Sequence, residues 1–151
     1  RMSFEEKDGG IRIMKKELGE VECPSILQFS QRSDSVMTFG MLLPVIGCTY
    51  NKLKGLESLK FKECDREMAL SEHLEKIGVR LEKVEYHWEL KAENYLLKPG
   101  TLFKSYDDHR MVMCVAPLAL KESIGIEDET VVKKSYPHFW EDLKSVGFQI
   151  L

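Results

Sequence analysis

Three short segments of this chain place lysine or arginine where a helix should begin. They are Lys62-Glu63-Cys64-Asp65-Arg66, Asp107-Asp108-His109-Arg110 and Lys133-Lys134-Ser135-Tyr136-Pro137. Each precedes a segment that reads as amphipathic or apolar helix. A helix N-terminus already carries partial positive charge and unpaired N–H groups, so Asp or Glu is the ordinary choice there. Making the opposite choice repeatedly points to a site for several negative charges, where backbone amides and cations act together. The ligand this chemistry suits is rich in phosphate and carboxylate.

The 151 residues suffice for one domain or for two small subdomains. At 43% hydrophobic and 31% charged, the composition is that of a soluble globular protein. A formal net charge of -3 argues against a global attraction to nucleic acid or to an anionic membrane. The cationic segments are therefore local features, suited to a small anion more than to a polyanion. Cys23, Cys48, Cys64 and Cys114 show no CxxC spacing, and none sits beside a His at zinc-ligand spacing. They read as reduced, separate thiols of a cytoplasmic protein, with no metal site. No apolar run reaches transmembrane length, and no signal-peptide pattern is present. The chain begins Arg1-Met2 and runs straight into Phe4, which suggests a piece of a longer protein, or an end left by a tag or by proteolysis.

The elements that must carry these segments follow from periodicity and punctuation. Gly9-Gly10, after Glu5-Glu6-Lys7-Asp8, reads as a hairpin turn into a strand at Ile11 to Met14. Ile26 to Phe29 reads as a short strand, and an apolar helix runs from Ser35 towards Pro44 with Asp34 as a plausible N-cap. Leu53 to Phe61 reads as a strand region with a bulge or turn at Gly55. A helix after Asp65 should bury Met68, Ala69, Leu70, Leu74 and Ile77 and stop at Gly78. Paired strands should follow at Val79 to Val84 and Tyr86 to Leu90, then a strand at Leu102 to Lys104. The apolar helix from Met111 to Leu120 should kink or end early at Pro117. Ile124 to Ile126 and Val131-Val132 read as strands, Phe139 to Val146 as a helix closed by Gly147, and Phe148 to Leu151 as a last strand. The order is strand-helix-strand-helix-strand-strand, followed by most of a second such unit.

These segments carry a family resemblance. Lys62-Glu63-Cys64-Asp65-Arg66 resembles the Lys-Glu-(Ser/Thr)-Asp-Arg motif of the EPSP synthase (3-phosphoshikimate 1-carboxyvinyltransferase) family. Asp108-His109-Arg110-Met111 matches its Asp-His-Arg-Met motif, and Lys134-Ser135-Tyr136-Pro137 is similar to its Lys-(Ser/Thr)-(Phe/Tyr)-Pro element. Asp34 and Thr38 resemble the stretch that carries a catalytic aspartate. The resemblance spans nearly the whole chain and implies the C-terminal part of such an enzyme. The implied fold is α/β: two globular domains, each of three βαβαββ units in an inside-out α/β barrel, with the active site between them. About two units of one domain would be present, the first near residues 1–98 and a second, partial one near 99–151. The partner domain and the rest of the N-terminal portion would be absent, with their share of the site.

The implied reaction transfers the enolpyruvyl group of phosphoenolpyruvate to the 5-hydroxyl of shikimate-3-phosphate, releases phosphate, and needs no cofactor. It needs a proton donor for the methylene, a base near the attacking hydroxyl, and cations for phosphates and carboxylates. On this resemblance Glu63 is the proton-transfer residue, although outside the motif it would read as part of a solvated helix start. Asp34 orients or deprotonates the attacking hydroxyl, and can cap a helix as well. Lys62 contacts the acceptor and assists the base. Arg66 and Arg110 suit the carboxylate and phosphate of phosphoenolpyruvate, because guanidinium matches planar anions bidentately. Lys134 adds a point charge at the same phosphate, and His109 either orients its neighbours or fills space beside the helix start. Cys64 departs from the family's Ser or Thr, and Ser33 from a proline common before the aspartate. Ser58 falls near a common Asn whose acceptor contact is not carried over. Two other readings stand beside this one: the sister transferase acting on UDP-N-acetylglucosamine, and a non-catalytic anion-binding fragment.

Overall fold

The computed structural model describes residues 2–7, 9–15 and 22–151. Arg1 and Asp8, part of the expectations for the chain start and the first turn, lie outside the described residues. Strands β1 (Met2–Lys7) and β2 (Gly10–Lys15) pair antiparallel, with Lys7 opposite Gly10. The tight connection places Gly9 at φ +75°, a conformation glycine adopts without a Cβ clash.

A four-stranded sheet follows, in the order β3 (Ile26–Gln28), β4 (Tyr50–Lys54), β6 (His87–Lys91), β5 (Arg80–Val84). β3 and β4 run parallel, joined through helix α1 (Val36–Val45), and β6 lies antiparallel to both its neighbours. Helix α2 (Arg66–Glu75) connects β4 to β5. The expected strand-helix-strand-helix-strand-strand order is therefore present from β3 to β6. Strand β7 (Thr101–Phe103) then pairs in parallel with β8 (Ile124–Ile126). Helix α3 (His109–Val115) lies between them and gives way at Ala116–Leu120 to a 3-10 turn that accommodates Pro117. Helix α4 (Phe139–Ser145) comes last, and Gly147 closes it at φ +102°.

The main core lies between the sheet and helices α1, α2 and α3. Met37, Met41, Leu53, Leu70, Leu74, Trp88, Leu90, Phe103, Met111 and Val115 are buried there. A smaller cluster of Val112, Ala116, Val132 and Phe139 ties α3 to the C-terminal segment. Two glycines set close approaches. A Cβ on Gly40 would sit 3.1 Å from the Leu70 side chain, so its absence lets α1 lie tightly on α2. A Cβ on Gly55 would meet the Ser30 amide nitrogen at 2.4 Å, and Gly55 stands at φ +81°. The end of β4 is thereby pressed against the turn that leads to Asp34.

Several expectations are corrected. The Leu53 to Phe61 strand ends at Lys54, because Gly55 turns the chain, and Leu59–Phe61 forms a 3-10 turn. Met68 is 44% exposed, since it falls off the buried stripe formed by Arg66, Ala69, Leu70, His73 and Leu74. Val131-Val132 is not a strand but part of a 3-10 helix, Glu129–Lys134, entered through Asp128 in the left-handed region. That coil turns both valines into the interior. Residues 148–151 have no regular structure. The cysteines are not all separate thiols: Cys23 and Cys48 form a disulfide across 25 residues, while Cys64 and Cys114 are free. No helix among the described residues is long and apolar enough to cross a membrane.

Candidate functional site

Three element ends meet at one place. The Ser33–Ser35 turn between β3 and α1 presents Asp34, the first residue of α2 is Arg66, and Asp108 precedes α3. Asp65 caps α2 by accepting the Met68 amide at 3.0 Å, and Asp108 caps α3 by accepting the Arg110 amide at 2.9 Å. Both starts thus keep an acidic cap, and their cations are neutralised by carboxylates, since the helix dipole opposes positive charge there. The third cationic segment is not a helix start. Lys133 and Lys134 end the Glu129–Lys134 coil, where positive charge is favourable.

Arg66 is the centre. It is 1% exposed, and its guanidinium reaches three carboxylates. Nε donates to Asp108 Oδ2 at 2.7 Å, and Nη2 donates to Asp108 Oδ1 at 3.2 Å. Nη1 donates to Asp34 Oδ1 at 2.7 Å, and Nη2 also donates to Glu63 Oε2 at 2.5 Å. Asp34 in turn pairs with Lys62 Nζ at 3.3 Å and Arg110 Nη2 at 3.2 Å. Asp34 is therefore bound by all three cations, and its expected N-cap role is not seen: α1 has no side-chain cap. Lys62, Glu63, Asp34 and Arg110 are each partly open to solvent, whereas Arg66 and Asp108 are enclosed.

The charges settle accordingly. Burial opposes the charge on Asp34, but the Lys62 hydrogen bond, then Arg110 and Arg66, hold its carboxyl below the usual range. Burial also opposes the charge on Asp108, and Arg66 with the Arg110 amide outweighs it in the same direction. Both groups are carboxylates at neutral pH. The Cys64 thiol lies 3.5 Å from Asp108 Oδ2, and burial together with that carboxylate pushes it up to about 12. It stays a protonated donor and a poor nucleophile.

Lys134 reaches the same end of α3 from outside, donating to Asp107 Oδ1 at 2.6 Å. His109 Nδ1 lies 3.9 Å from Asp108 Oδ1. Tyr106 and Asp107 both take left-handed backbone, at φ +54° and +53°, in the turn that delivers Asp108. Consecutive non-glycine residues there carry strain that the surrounding packing must hold.

The structure thus gathers Asp34, Lys62, Glu63, Arg66 and Arg110 into one ion-pair network, with His109 and Lys134 at its α3 edge. Asp108, the enclosed carboxylate that supports Arg66, has no role assigned from the sequence. Its position directly ahead of His109, the first residue of α3, is an N-cap signal, but nothing local shows a bond to Arg66. Chemically, the network is a fixed guanidinium beside two reachable carboxylates and two more reachable cations. Such a set can hold a carboxylate or phosphate and leave a carboxylate next to it for proton transfer.

Comparisons with known proteins bear on this network. A sequence model described as EPSP synthase (3-phosphoshikimate 1-carboxyvinyltransferase) matches residues 8–143. The chain is similar to the 3-phosphoshikimate 1-carboxyvinyltransferase of Bacteroides fragilis, 36% identical over 119 residues that make up 78% of this chain and 29% of that protein. Its likeness to the Clostridium kluyveri protein of the same name is 34% over 151 residues, 95% of this chain and 35% of that one. The solved structure of EPSP synthase from Acinetobacter baumannii superposes with a TM-score of 0.58 at 24% identity, over 72% of this chain and 26% of that one. That likeness gives the fold, the inside-out α/β arrangement of which this chain is a part. The chain spans about a third or less of the curated relatives it matches.

Proposed function

The chain belongs to the EPSP synthase family, and from that premise we propose that it forms part of an enzyme that transfers the enolpyruvyl group of phosphoenolpyruvate to the 5-hydroxyl of shikimate-3-phosphate, releasing phosphate. The observation that carries this reading is the convergence of Lys62, Arg66 and Arg110 on Asp34 from three separate elements. Arg66 and Arg110 bind the carboxylate and phosphate of phosphoenolpyruvate, and Lys134 adds its charge from the α3 edge. Asp34, held ionised, accepts a hydrogen bond or proton from the attacking hydroxyl. Glu63 gives a proton to the methylene carbon, and Lys62 meets the acceptor. His109 orients its neighbours at the start of α3.

Residues 1–98 and 99–151 form the first and the second, partial, unit of one domain. The missing N-terminal portion of the same enzyme supplies the opposing wall, which the reaction needs to exclude water. The cytoplasm is the compartment this reading assigns, where the reducing thiol pool would act on the Cys23–Cys48 bond. The test is phosphate release from phosphoenolpyruvate plus shikimate-3-phosphate, with the full-length protein and the 151-residue chain side by side. Release by the full-length protein alone is expected. Release only when UDP-N-acetylglucosamine replaces shikimate-3-phosphate would overturn the assignment of acceptor, and turnover by the isolated chain would overturn the need for the opposing wall.

A further inference from the structure

Arg66 has five N–H donors, and four are in use: one on Nε, one on Nη1 and two on Nη2. Asp108 holds the Nε–Nη2 edge, and both it and Arg66 are enclosed, so this side of the fork is fixed. The Nη1–Nη2 edge is held differently. Asp34 occupies Nη1 and Glu63 occupies Nη2, and both carboxylates reach solvent. A planar anion that binds a guanidinium bidentately needs one N–H from each of two nitrogens. Nη1 keeps a second N–H, but Nη2 has none to spare.

The two resident carboxylates differ in how firmly they are held. Asp34 is bound by Arg66, Lys62 and Arg110 together. Glu63 has one bonded cation among the described contacts, Arg66, and its side chain is 50% exposed on the segment ahead of α2. With half of its side chain in water and a single bonded cation, Glu63 is the less firmly held of the two carboxylates. We propose that Glu63 is a resident stand-in for ligand: an incoming carboxylate takes its place on Arg66 Nη2, so that binding displaces Glu63 and leaves its carboxyl beside the ligand it is to serve. This rests on the transferase reading for the identity of the ligand, though the exchange itself requires only a carboxylate. Anion binding and release of the proton-transfer group become one event, with Arg66 as the shared partner and Asp108 as its fixed support.

The experiment measures dissociation constants for phosphoenolpyruvate, with shikimate-3-phosphate present, and for pyruvate as a second carboxylate probe. It compares the full-length protein with its Glu63→Asp and Glu63→Gln variants. Glu63→Asp keeps the charge but is one methylene too short to reach Nη2, so it separates occupancy of Arg66 from plain repulsion. Both variants are expected to bind both probes about 2- to 5-fold more tightly, the span of a weak ion pair. Tightening in Glu63→Gln alone would mean that charge, not occupancy, governs binding, and would overturn the exchange. Unchanged or weaker binding in Glu63→Asp would overturn it equally. Phosphate release by the unmodified protein is measured alongside. Release without tighter binding sinks the exchange and leaves the transferase reading intact. Tighter pyruvate binding without release sinks that reading and leaves the exchange.

Discussion

Replacing Asp108 by Asn removes one negative charge from a fully enclosed position and leaves the shape nearly unchanged. Asp108 now accepts from Arg66 Nε, Arg66 Nη2, the Arg110 amide and the Cys64 thiol. An asparagine offers one acceptor oxygen and an NH2 that must face a donor. Either Arg66 Nε or the Arg110 amide then loses its partner. Breaking a buried pair by removing one member costs about 3–5 kcal/mol, because the other charge stays buried. Arg66 keeps Asp34 and Glu63, which puts the expected loss at the low end, ~3 kcal/mol. With a urea dependence of about 2 kcal/mol per molar, the unfolding midpoint should fall by roughly 1.5 M. The assay is urea denaturation of the 151-residue chain followed by circular dichroism at neutral pH. A pH series adds a signature. Asp108 titrates lower in the folded chain than unfolded, so its stabilisation is present above the unfolded carboxylate value and is lost as pH falls through the folded one. The original and Asp108→Asn proteins should therefore converge in stability in acid and separate towards neutral pH. A neutral-pH midpoint within about 0.3 M of the original at equal slope, ~0.6 kcal/mol, would refute Asp108 as the support of Arg66.

His73 is fully buried, and Nε2 meets the Lys104 carbonyl at 3.0 Å, so the neutral ring donates there. Burial lowers its pKa to about 4, so stability should fall as pH drops from about 6.5 towards 4, by about 3 kcal/mol in all, and His73→Phe should flatten that slope in urea titrations. Opening the Cys23–Cys48 disulfide with a dithiol should lower stability by ~3.5 kcal/mol, the loop-closure value for a separation of 25 residues, read by urea denaturation with and without reductant. Cys64 should resist iodoacetamide at pH 8 far longer than a free thiol, because its own titration lies near 12, and peptide mass spectrometry would report it.

What the sequence shows of this protein is what lies within one element's length. The βαβαββ order and the helices after it are legible because each boundary has a local cause: Asp65 ahead of α2, Gly78 and Gly147 past helix ends, and Pro117 where α3 stops. The errors are also local causes that lost to distant ones. Val131-Val132 has strand residues, but Val132 is drawn against Val112 and Phe139, and the segment coils to present both valines. Met68 counts as apolar, yet the core stripe of α2 passes it by.

The candidate site divides along the same line. A run of lysine and arginine advertises positive charge, and Arg66 on its own turn reads as an open anion receptor. One neutralising partner, Glu63, lies three residues back, but the other two lie 32 residues back, at Asp34, and 42 residues on, at Asp108. The Cys23–Cys48 bond is invisible for the same reason, since no spacing rule joins thiols 25 residues apart. Arg66 carries no sequence mark that it is buried, and a buried guanidinium without carboxylates would be untenable. The carboxylates let it be buried, and burial keeps its fork aimed. The network that makes the site neutral is therefore also what orients it, and on the proposed exchange a ligand need only replace its most weakly held member.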